Sequence, residues 1–127
     1  MINLALWHDI MDSRDPNRIG EIIADDCVFL SPVVHTPQEG KDITVLYLSA
    51  AMHVFNDSFE YVKKIVDEPH AVLEFTCEMD GIYVNGIDMM TFNDEGQITE
   101  FKVIVRPLKA VNMLHAKMKA MLEQFAA

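Results

Sequence analysis

One carboxylate in the sequence is flanked by apolar residues. Asp88 lies between Ile87 and Met89 in a segment with the composition of a strand. Residues two apart share one face of a strand, so the next same-face neighbours of Asp88 are Met90 and Phe92. A carboxyl group among apolar side chains has a raised pKa and can donate a hydrogen bond or act as a general acid or base. A structural carboxylate that packs beside the strand end and bonds to the backbone or to a solvent-facing partner fits the pattern equally well.

The other reactive side chains form no recognisable metal, nucleophile or cofactor motif. The sequence contains no P-loop, dinucleotide fingerprint, GxSxG or HExxH. Four histidines are spread along the chain, and the acidic pairs complete no ligand set with them: His8, His53, His70 and His115, with Asp25-Asp26 and Glu74/Glu78. Cys27 and Cys77 lie far apart without a CxxC, which favours two reduced, buried thiols over a disulfide. We therefore expect no metal and no cofactor.

Composition and charge argue against several classes of partner. The 127 residues are 50% hydrophobic and carry 10 basic against 20 acidic side chains, for a net charge of −10. Such a surface repels phosphate backbones and anionic lipid headgroups, so neither nucleic acid nor a membrane is expected as a partner. The N-terminal apolar run Ile2–Trp7 is too short for a signal peptide and lacks its basic start. We expect one domain over residues 1–127, located in the cytoplasm.

Helical periodicity is found in four segments. It predicts a first helix over Ile2–Met11, a third over Asp42–Phe55 and a last helix after Pro107. Asp15-Pro16 has the residue types of an N-cap and a first helical position, so a second helix is predicted from there to Ala24.

The apolar period is two in the strand segments. Five strands are predicted, at Cys27–Leu30, Phe59–Val66, Ala71–Met79, a segment that ends at Phe92, and Ile98–Arg106. Asp80-Gly81 predicts the hairpin turn between the third and fourth strands, and Asn85-Gly86 competes for the same role. Helices grouped against an antiparallel meander indicate an α+β fold rather than βαβ units.

Several local strings, with this order of elements, resemble the cone-shaped fold of nuclear transport factor 2, SnoaL-like polyketide cyclases and ketosteroid isomerases. The strings are Ile23–Val28, Ser31-Pro32, Gly40 before the third helix, Gly86–Phe92 and Asp94–Phe101. The resemblance covers nearly the whole chain. It implies a cystatin-like α+β fold, in which a curved antiparallel sheet wraps around the N-terminal helices and encloses a pocket. It also implies that Asp25-Asp26 ends the second helix and turns the chain.

In this family one face of the curved sheet lines the pocket, and the alternation indicates which face. The resemblance therefore implies these pocket-lining side chains: Leu73, Phe75, Cys77, Met90, Phe92, Phe101, Val103 and Val105 from the long strands, Phe29 and Ser31 from the short strand, and Trp7, Tyr47 and Phe55 from the helices. Each of them is also an ordinary candidate for the core. An apolar pocket with few polar groups indicates a small hydrophobic molecule as the partner.

The catalytic residues of ketosteroid isomerases are only partly retained. Those enzymes use an aspartate base and two oxyanion donors, a tyrosine and a protonated aspartate. In the resemblance the base position falls on Ser31 and the tyrosine position on Trp7, and the second aspartate alone is kept, as Asp88. A hydroxyl of ordinary pKa cannot take a proton without its own base, so steroid isomerisation by that mechanism is not expected. His35, in the loop after Pro32, can act as a base directly or through water, although a loop histidine is more often only exposed.

Two functions stay open. One is a cofactor-independent enzyme of isomerase or cyclase type that acts on a hydrophobic carbonyl or polycyclic compound, with Asp88 and His35 as catalytic candidates. The other is a non-catalytic ligand-binding or dimerisation domain.

The outer face of the sheet mixes charged with β-branched residues, and members of the resembled family commonly pair through it. A homodimer is therefore expected, with Arg106 or Lys102 opposite Glu74 or Glu78 of the partner subunit.

Overall fold

The computed structural model describes residues 2–126, which form helices on one side of a six-stranded sheet. In chain order the elements are α1 (Leu4–Ser13), a 3-10 helix (Pro16–Glu21), β1 (Ile23–Leu30), β2 (Gln38–Glu39), α2 (Lys41–Val54), β3 (Glu60–Asp67), β4 (His70–Met79), β5 (Ile82–Phe92), β6 (Ile98–Arg106) and α3 (Leu108–Ala126). None of the helices in this part of the chain is long and apolar enough to cross a bilayer. The predicted α+β class is confirmed.

The curved sheet is open and has the strand order β2-β1-β6-β5-β4-β3. Three consecutive hairpin pairs, β3/β4, β4/β5 and β5/β6, are antiparallel, as predicted. The sheet is nevertheless mixed, because β1 pairs with β6 in parallel. The α2 helix and four strands separate β1 from β6 along the chain, so no tight turn imposes an antiparallel direction on this pair.

The turn between β4 and β5 is the predicted Asp80-Gly81. Both residues have positive φ, 53° and 75°, which is the backbone of a type I′ turn and requires residues that tolerate the left-handed region. The competing Asn85-Gly86 lies inside β5 instead. Gly86 has another purpose there, since a Cβ atom at this position would lie 2.6 Å from the Phe75 ring and 2.6 Å from the carbonyl oxygen of Ile104. The missing side chain lets the aromatic ring of Phe75 lie flat over the strand.

The second predicted helix begins where expected but is shorter and of another type. The Asp15 side chain accepts a hydrogen bond from the backbone N–H of Asn17 at 3.0 Å, and Pro16 follows as the first helical residue. The helix is 3-10 and ends at Glu21, so the expected extension to Ala24 is wrong.

The acidic pair Asp25-Asp26 lies within β1 rather than in a turn. The pairing register of β1 with β6 shifts between Ile23 and Val28, so the strand is bulged at this point. The bulge breaks the alternation and leaves both carboxylates exposed, while Cys27 beyond them is buried. Adjacent residues of a regular strand face opposite sides of the sheet, so two charged neighbours are more typical of a turn. The bulge allows both side chains to be exposed within a strand.

The inner face of the sheet carries the core in two clusters. The larger cluster joins Trp7 and Ile10 of α1 and Ile19 of the 3-10 helix to inner-face residues of β4, β5 and β6. The smaller cluster joins Phe75 to Ala110 and Leu114 of α3. The helices therefore cover the two ends of the sheet, and a space remains between them.

Candidate ligand-binding site

A cavity of about 630 Å³ lies between the inner face of the sheet and the three α-helices. Its volume is in the range of small-molecule sites, and its wall is mostly apolar. The apolar wall includes Trp7, Met11, Phe29, Tyr47, Phe55, Phe59, Phe75, Phe101, Val103, Val105, Leu114, Met118 and Leu122. Charged side chains also reach the wall, among them Asp12, Arg14, Glu60 and Lys119, but one acidic residue of the wall differs from these because it is buried.

Asp88 is this acidic residue. Its strand, β5, is flanked by β4 and β6, and Asp88 pairs with Leu73 on one side and Val103 on the other. Only 7% of its surface is exposed. Burial raises the pKa of its carboxyl to about 7, against a smaller opposite effect of a hydrogen bond from Tyr61. A carboxyl with this pKa is present in both protonation states near neutral pH.

A chain of three side chains ends at Asp88. The Tyr61 hydroxyl donates to Asp88 Oδ2 at 2.6 Å, and Trp7 Nε1–H donates to the Tyr61 hydroxyl oxygen at 3.1 Å. Burial beside the Asp88 carboxyl raises the pKa of Tyr61 well above its usual value, so the phenol stays protonated. In the described part of the chain Asp88 Oδ1 accepts no hydrogen bond, which leaves that oxygen available to a ligand.

Tyr61 is the functional candidate that the sequence pattern does not single out. Its strand β3 is an edge strand, and every other residue of it is exposed. Tyr61 faces inward because it pairs with Phe75, which lies on the inner face of β4. The signal available in the sequence is the same-face pair Phe59 and Tyr61, the two aromatic residues at the start of this strand. Converting that signal into a contact with Asp88 requires the register of three strands.

Most of the expected pocket residues line the cavity. These are Trp7, Phe29, Ser31, Tyr47, Phe55, Phe75, Phe101, Val103 and Val105, together with Asp88. Leu73, Met90, Phe92 and Cys77 also face inward, but they are buried in the core and do not line the cavity. For Leu73, Met90 and Phe92 the reason is that α1 and the 3-10 helix fill one end of the inner face, whereas Cys77 belongs to the cluster that packs against α3. Alternation along the strands therefore identifies which side chains face inward, and the packing of the helices determines which of these side chains line the cavity.

The loop after β1 brings Ser31 to the cavity and leaves His35 outside it. The Ser31 hydroxyl oxygen accepts hydrogen bonds from the backbone N–H groups of Val33 and Val34, at 3.1 and 3.3 Å. This turn places the segment 31–34 against the cavity. His35 follows it, is exposed, and is absent from the cavity wall. The expected position of His35 at the pocket mouth is therefore not observed, and no contact joins it to Asp88.

Another histidine, His8 of α1, does line the cavity. Its ring packs edge-on against Tyr61, with ring centroids 5.7 Å apart. Among residues 2–126, no group of three or more His, Cys, Asp or Glu side chains is arranged to hold a metal ion. Cys27 and Cys77 are both free and buried, and burial raises the pKa of the Cys27 thiol to about 11.

Comparison with known proteins places this cavity in a family context. Residues 4–101 match the family model of the SnoaL-like domain. The chain belongs to the SnoaL-like domain family. A steroid delta-isomerase from Pseudomonas aeruginosa has a similar crystal structure, with a TM-score of 0.92 and 34% identity over 98% of this chain and 92% of that chain.

Two further structures show how widely the fold is shared. A cystatin-like-fold protein from Silicibacter pomeroyi is 28% identical, with a TM-score of 0.85 over 92% of this chain and 82% of that one. A protein assigned as a SnoaL-like polyketide cyclase from Jannaschia is 13% identical, with a TM-score of 0.66 over 87% and 88%, and shows the fold alone. No curated protein is significantly similar to the chain. The fold of the resembled superfamily is thus confirmed, and its site chemistry must be argued from the residues of this chain.

Proposed function

We propose that the chain binds a small hydrophobic carbonyl or polycyclic compound in the cavity, with Asp88 as the polar anchor and as a proton donor or acid/base. The observation that carries the proposal is a buried carboxyl, hydrogen-bonded by Tyr61, in a mostly apolar cavity wall. Its pKa of about 7 supports both roles, because a neutral carboxyl donates to a carbonyl oxygen and an ionised one accepts a proton. The 34% identical steroid delta-isomerase supports an isomerase-type reaction.

The proposed chemistry needs no cofactor. The ionised Asp88 takes a proton from the carbon next to the ligand carbonyl, the C–H electron pair forms a C=C bond, and the carbonyl oxygen takes up the negative charge. Return of the proton to a different carbon gives an isomer, and return to the same carbon gives exchange with solvent. Tyr61 and Trp7 hold the carboxyl in place through their hydrogen bonds. In this scheme Ser31, whose hydroxyl caps the turn that follows it, contributes no base.

A non-catalytic ligand-binding domain is the second candidate, because among residues 2–126 the phenol of Tyr61 is the one acid or base that is hydrogen-bonded to Asp88. The two candidates differ in what happens to the acidic C–H protons of a bound ketone. We choose 2-tetralone, a bicyclic ketone, as the common probe for both.

Binding is measured first, by a thermal-shift screen of steroids, terpenoid epoxides, aromatic acids and 2-tetralone, followed by calorimetric titration. Asp88→Leu and Tyr61→Phe are expected to weaken the binding of 2-tetralone by about tenfold or less, since the first removes the donor to the ketone and the second removes the hydrogen bond that orients this donor. Asp94→Asn, which changes an exposed carboxylate in the turn after β5, is the matched control and should bind as the wild type does. Equal affinities in all four proteins, or no binding of any compound, would contradict the proposed site.

Catalysis is measured next, by proton NMR of 2-tetralone in deuterated water. The enzyme hypothesis predicts that the protons next to the carbonyl exchange faster with wild-type protein than with Asp88→Asn. Binding without Asp88-dependent exchange would favour the non-catalytic domain.

We also propose that two copies of the chain pair through the outer face of the sheet. This face carries the exposed apolar residues Ile65, Tyr83 and Ile104, which are 50–57% exposed. Arg106 and Glu78, both exposed, add one charge of each sign at the same end of the face. A surface with apolar centre residues and both charges is complementary to a second copy of itself.

Two of the charged residues predicted for this interface, Glu74 and Lys102, already have partners within the same chain. Lys63 Nζ lies 3.9 Å from Glu74 Oε1, and Asn85 donates to the other Glu74 oxygen at 3.1 Å. Lys102 Nζ lies 3.9 Å from Glu100. Arg106 donates one long hydrogen bond, at 3.5 Å, to Asn85 Oδ1 and has no ion pair among the described residues, so Arg106 and Glu78 remain the best candidates for a pair between subunits.

Light scattering at micromolar concentration tests the assembly. We expect a dimer that Ile104→Glu dissociates and that Leu108→Glu, at an exposed apolar residue of α3, leaves intact. A monomeric wild type, or a dimer that only Leu108→Glu dissociates, would contradict pairing through the sheet.

A further inference from the structure

We propose that His8 is a second ligand-contacting residue, which selects compounds that carry a hydrogen-bonding group in addition to the carbonyl. The inference rests on the proposed function, because it places His8 and Asp88 on the same bound molecule.

The first observation is the position of His8. It lies on α1 directly after Trp7 and belongs to the cavity wall. Its ring meets the Tyr61 ring edge-on, at an interplanar angle of 73°. Tyr61 in turn donates to Asp88 at 2.6 Å. The imidazole and the carboxyl therefore both contact Tyr61, and both residues belong to the wall of one cavity.

The second observation is an unpaired nitrogen. Among the side-chain nitrogen and oxygen atoms of the described residues, His8 Nε2 alone is buried without a hydrogen-bond partner. Native proteins pair nearly all buried polar atoms, because an unpaired one loses its hydration without compensation. Because the residue belongs to the cavity wall, a ligand group that contacts the His8 ring can supply the partner that this nitrogen lacks.

The charge state of the ring decides what it can bind. Burial and the nearby Lys64 lower the pKa of His8, and Asp12 acts more weakly in the opposite direction. The imidazole is therefore neutral at neutral pH. A neutral ring donates from one nitrogen and accepts at the other, so Nε2 pairs with either a hydroxyl or a carbonyl according to its tautomer. An ionised carboxylate on the ligand would find no matching positive charge at this ring.

The combined site thus matches a hydrophobic, ring-containing compound with two separate oxygen groups. One is a carbonyl that contacts Asp88, and the other is a hydroxyl or second carbonyl that contacts His8. A ketone with a single oxygen can contact Asp88 and leaves His8 without a partner.

The test compares 2-tetralone with its 5-, 6-, 7- and 8-hydroxy derivatives by calorimetric titration. We expect at least one hydroxy isomer to bind the wild type about tenfold more tightly than 2-tetralone, which is the gain of one buried hydrogen bond. His8→Phe should remove that gain, so that this variant binds the selected hydroxy isomer no more tightly than it binds 2-tetralone. His70→Phe, at an exposed histidine at the start of β4, is the matched control and should keep the gain.

A second measurement on the unaltered protein guards against a variant that does not fold. The ring-nitrogen NMR signal of His8 Nε2 should shift when the selected hydroxy isomer binds, and it should move much less with 2-tetralone. The inference is overturned if no hydroxy isomer binds more tightly than 2-tetralone, if the gain survives in His8→Phe, or if the Nε2 signal does not respond. In those cases Asp88-dependent binding of 2-tetralone would still uphold the proposed function. Failure of every tetralone to bind would contradict both.

Discussion

The buried carboxyl of Asp88 makes the stability of the folded chain depend on pH in a specific direction. Its pKa is about 7 in the folded protein, against 3.8 for an unperturbed aspartate. The group is 7% exposed, so solvent screens it little. At about 1.4 kcal/mol for each pH unit between the two values, ionisation of Asp88 disfavours the folded state by about 4 kcal/mol at high pH.

The sign follows from where the proton binds more tightly. Folding raises the pKa of Asp88, so its protonated form stabilises the folded state fully below pH 3.8, and this contribution is lost as the pH rises toward about 7. Between pH 5 and pH 8 the loss is roughly 2–3 kcal/mol. Asparagine cannot ionise and can still accept the Tyr61 hydrogen bond, so Asp88→Asn should keep the fold and be more stable than the wild type at pH 8.

Urea denaturation of both proteins from pH 5 to pH 8.5 measures this effect. The difference between their free energies of unfolding isolates Asp88, because the other carboxylates are common to both. We expect the advantage of Asp88→Asn to grow by about 2–3 kcal/mol over this range and then to level off. Parallel pH profiles for the two proteins would refute the reasoning, since they would mean that Asp88 has the same pKa in the folded and unfolded chain.

Three more perturbations follow from the geometry. Gly86→Ala should lower the free energy of unfolding by about 1–3 kcal/mol, because its methyl group would collide with the Phe75 ring and the backbone carbonyl of Ile104. Urea denaturation measures this difference, and an unchanged free energy of unfolding would contradict the close packing at Gly86. Tyr61→Phe should raise the pKa of Asp88 further, since it removes the hydrogen bond that lowers this pKa. An NMR titration measures it, and a lower pKa of Asp88 in the variant would contradict this effect of the hydrogen bond. Δ5-3-ketosteroids should not be isomerised above background by the mechanism of the ketosteroid isomerases, because the resemblance puts Ser31 at the base position. Ser31→Asp should give a trace of this activity, with Asp88 as the remaining oxyanion donor. Robust turnover by the wild type would show that another base operates, for which Asp88 is the candidate.

Much of the fold follows from local patterns. Period-two alternation predicts β4, β5 and β6 closely, and Asp80-Gly81 predicts their first turn, because these signals depend only on neighbouring residues. The errors occur where distant parts of the chain determine the structure. The bulge at Asp25-Asp26 exists because β1 pairs with β6, and the sequence around the pair contains no sign of that partner.

The candidate site shows the same division. Asp88 is predictable because its neighbours in sequence are also its neighbours in the strand. Tyr61 is not, because its contact with Asp88 crosses from β3 past β4 to β5 and depends on the register of all three strands. Leu73, Met90 and Phe92 lie on the predicted inner face but do not line the cavity. The packing of α1 against the sheet determines where the cavity begins, and alternation along a strand does not show this packing.

The central claim is that the Asp88 carboxyl is a buried, titrating group inside the ligand cavity. The most direct test is a carbon-13 NMR titration of this carboxyl, without ligand and with saturating 2-tetralone. We expect the Asp88 carboxyl to have a pKa near 7 in the free protein and a clearly different pKa when the ketone is bound. A pKa near 3.8 that does not respond to the ketone would contradict it and would make Asp88 a structural carboxylate.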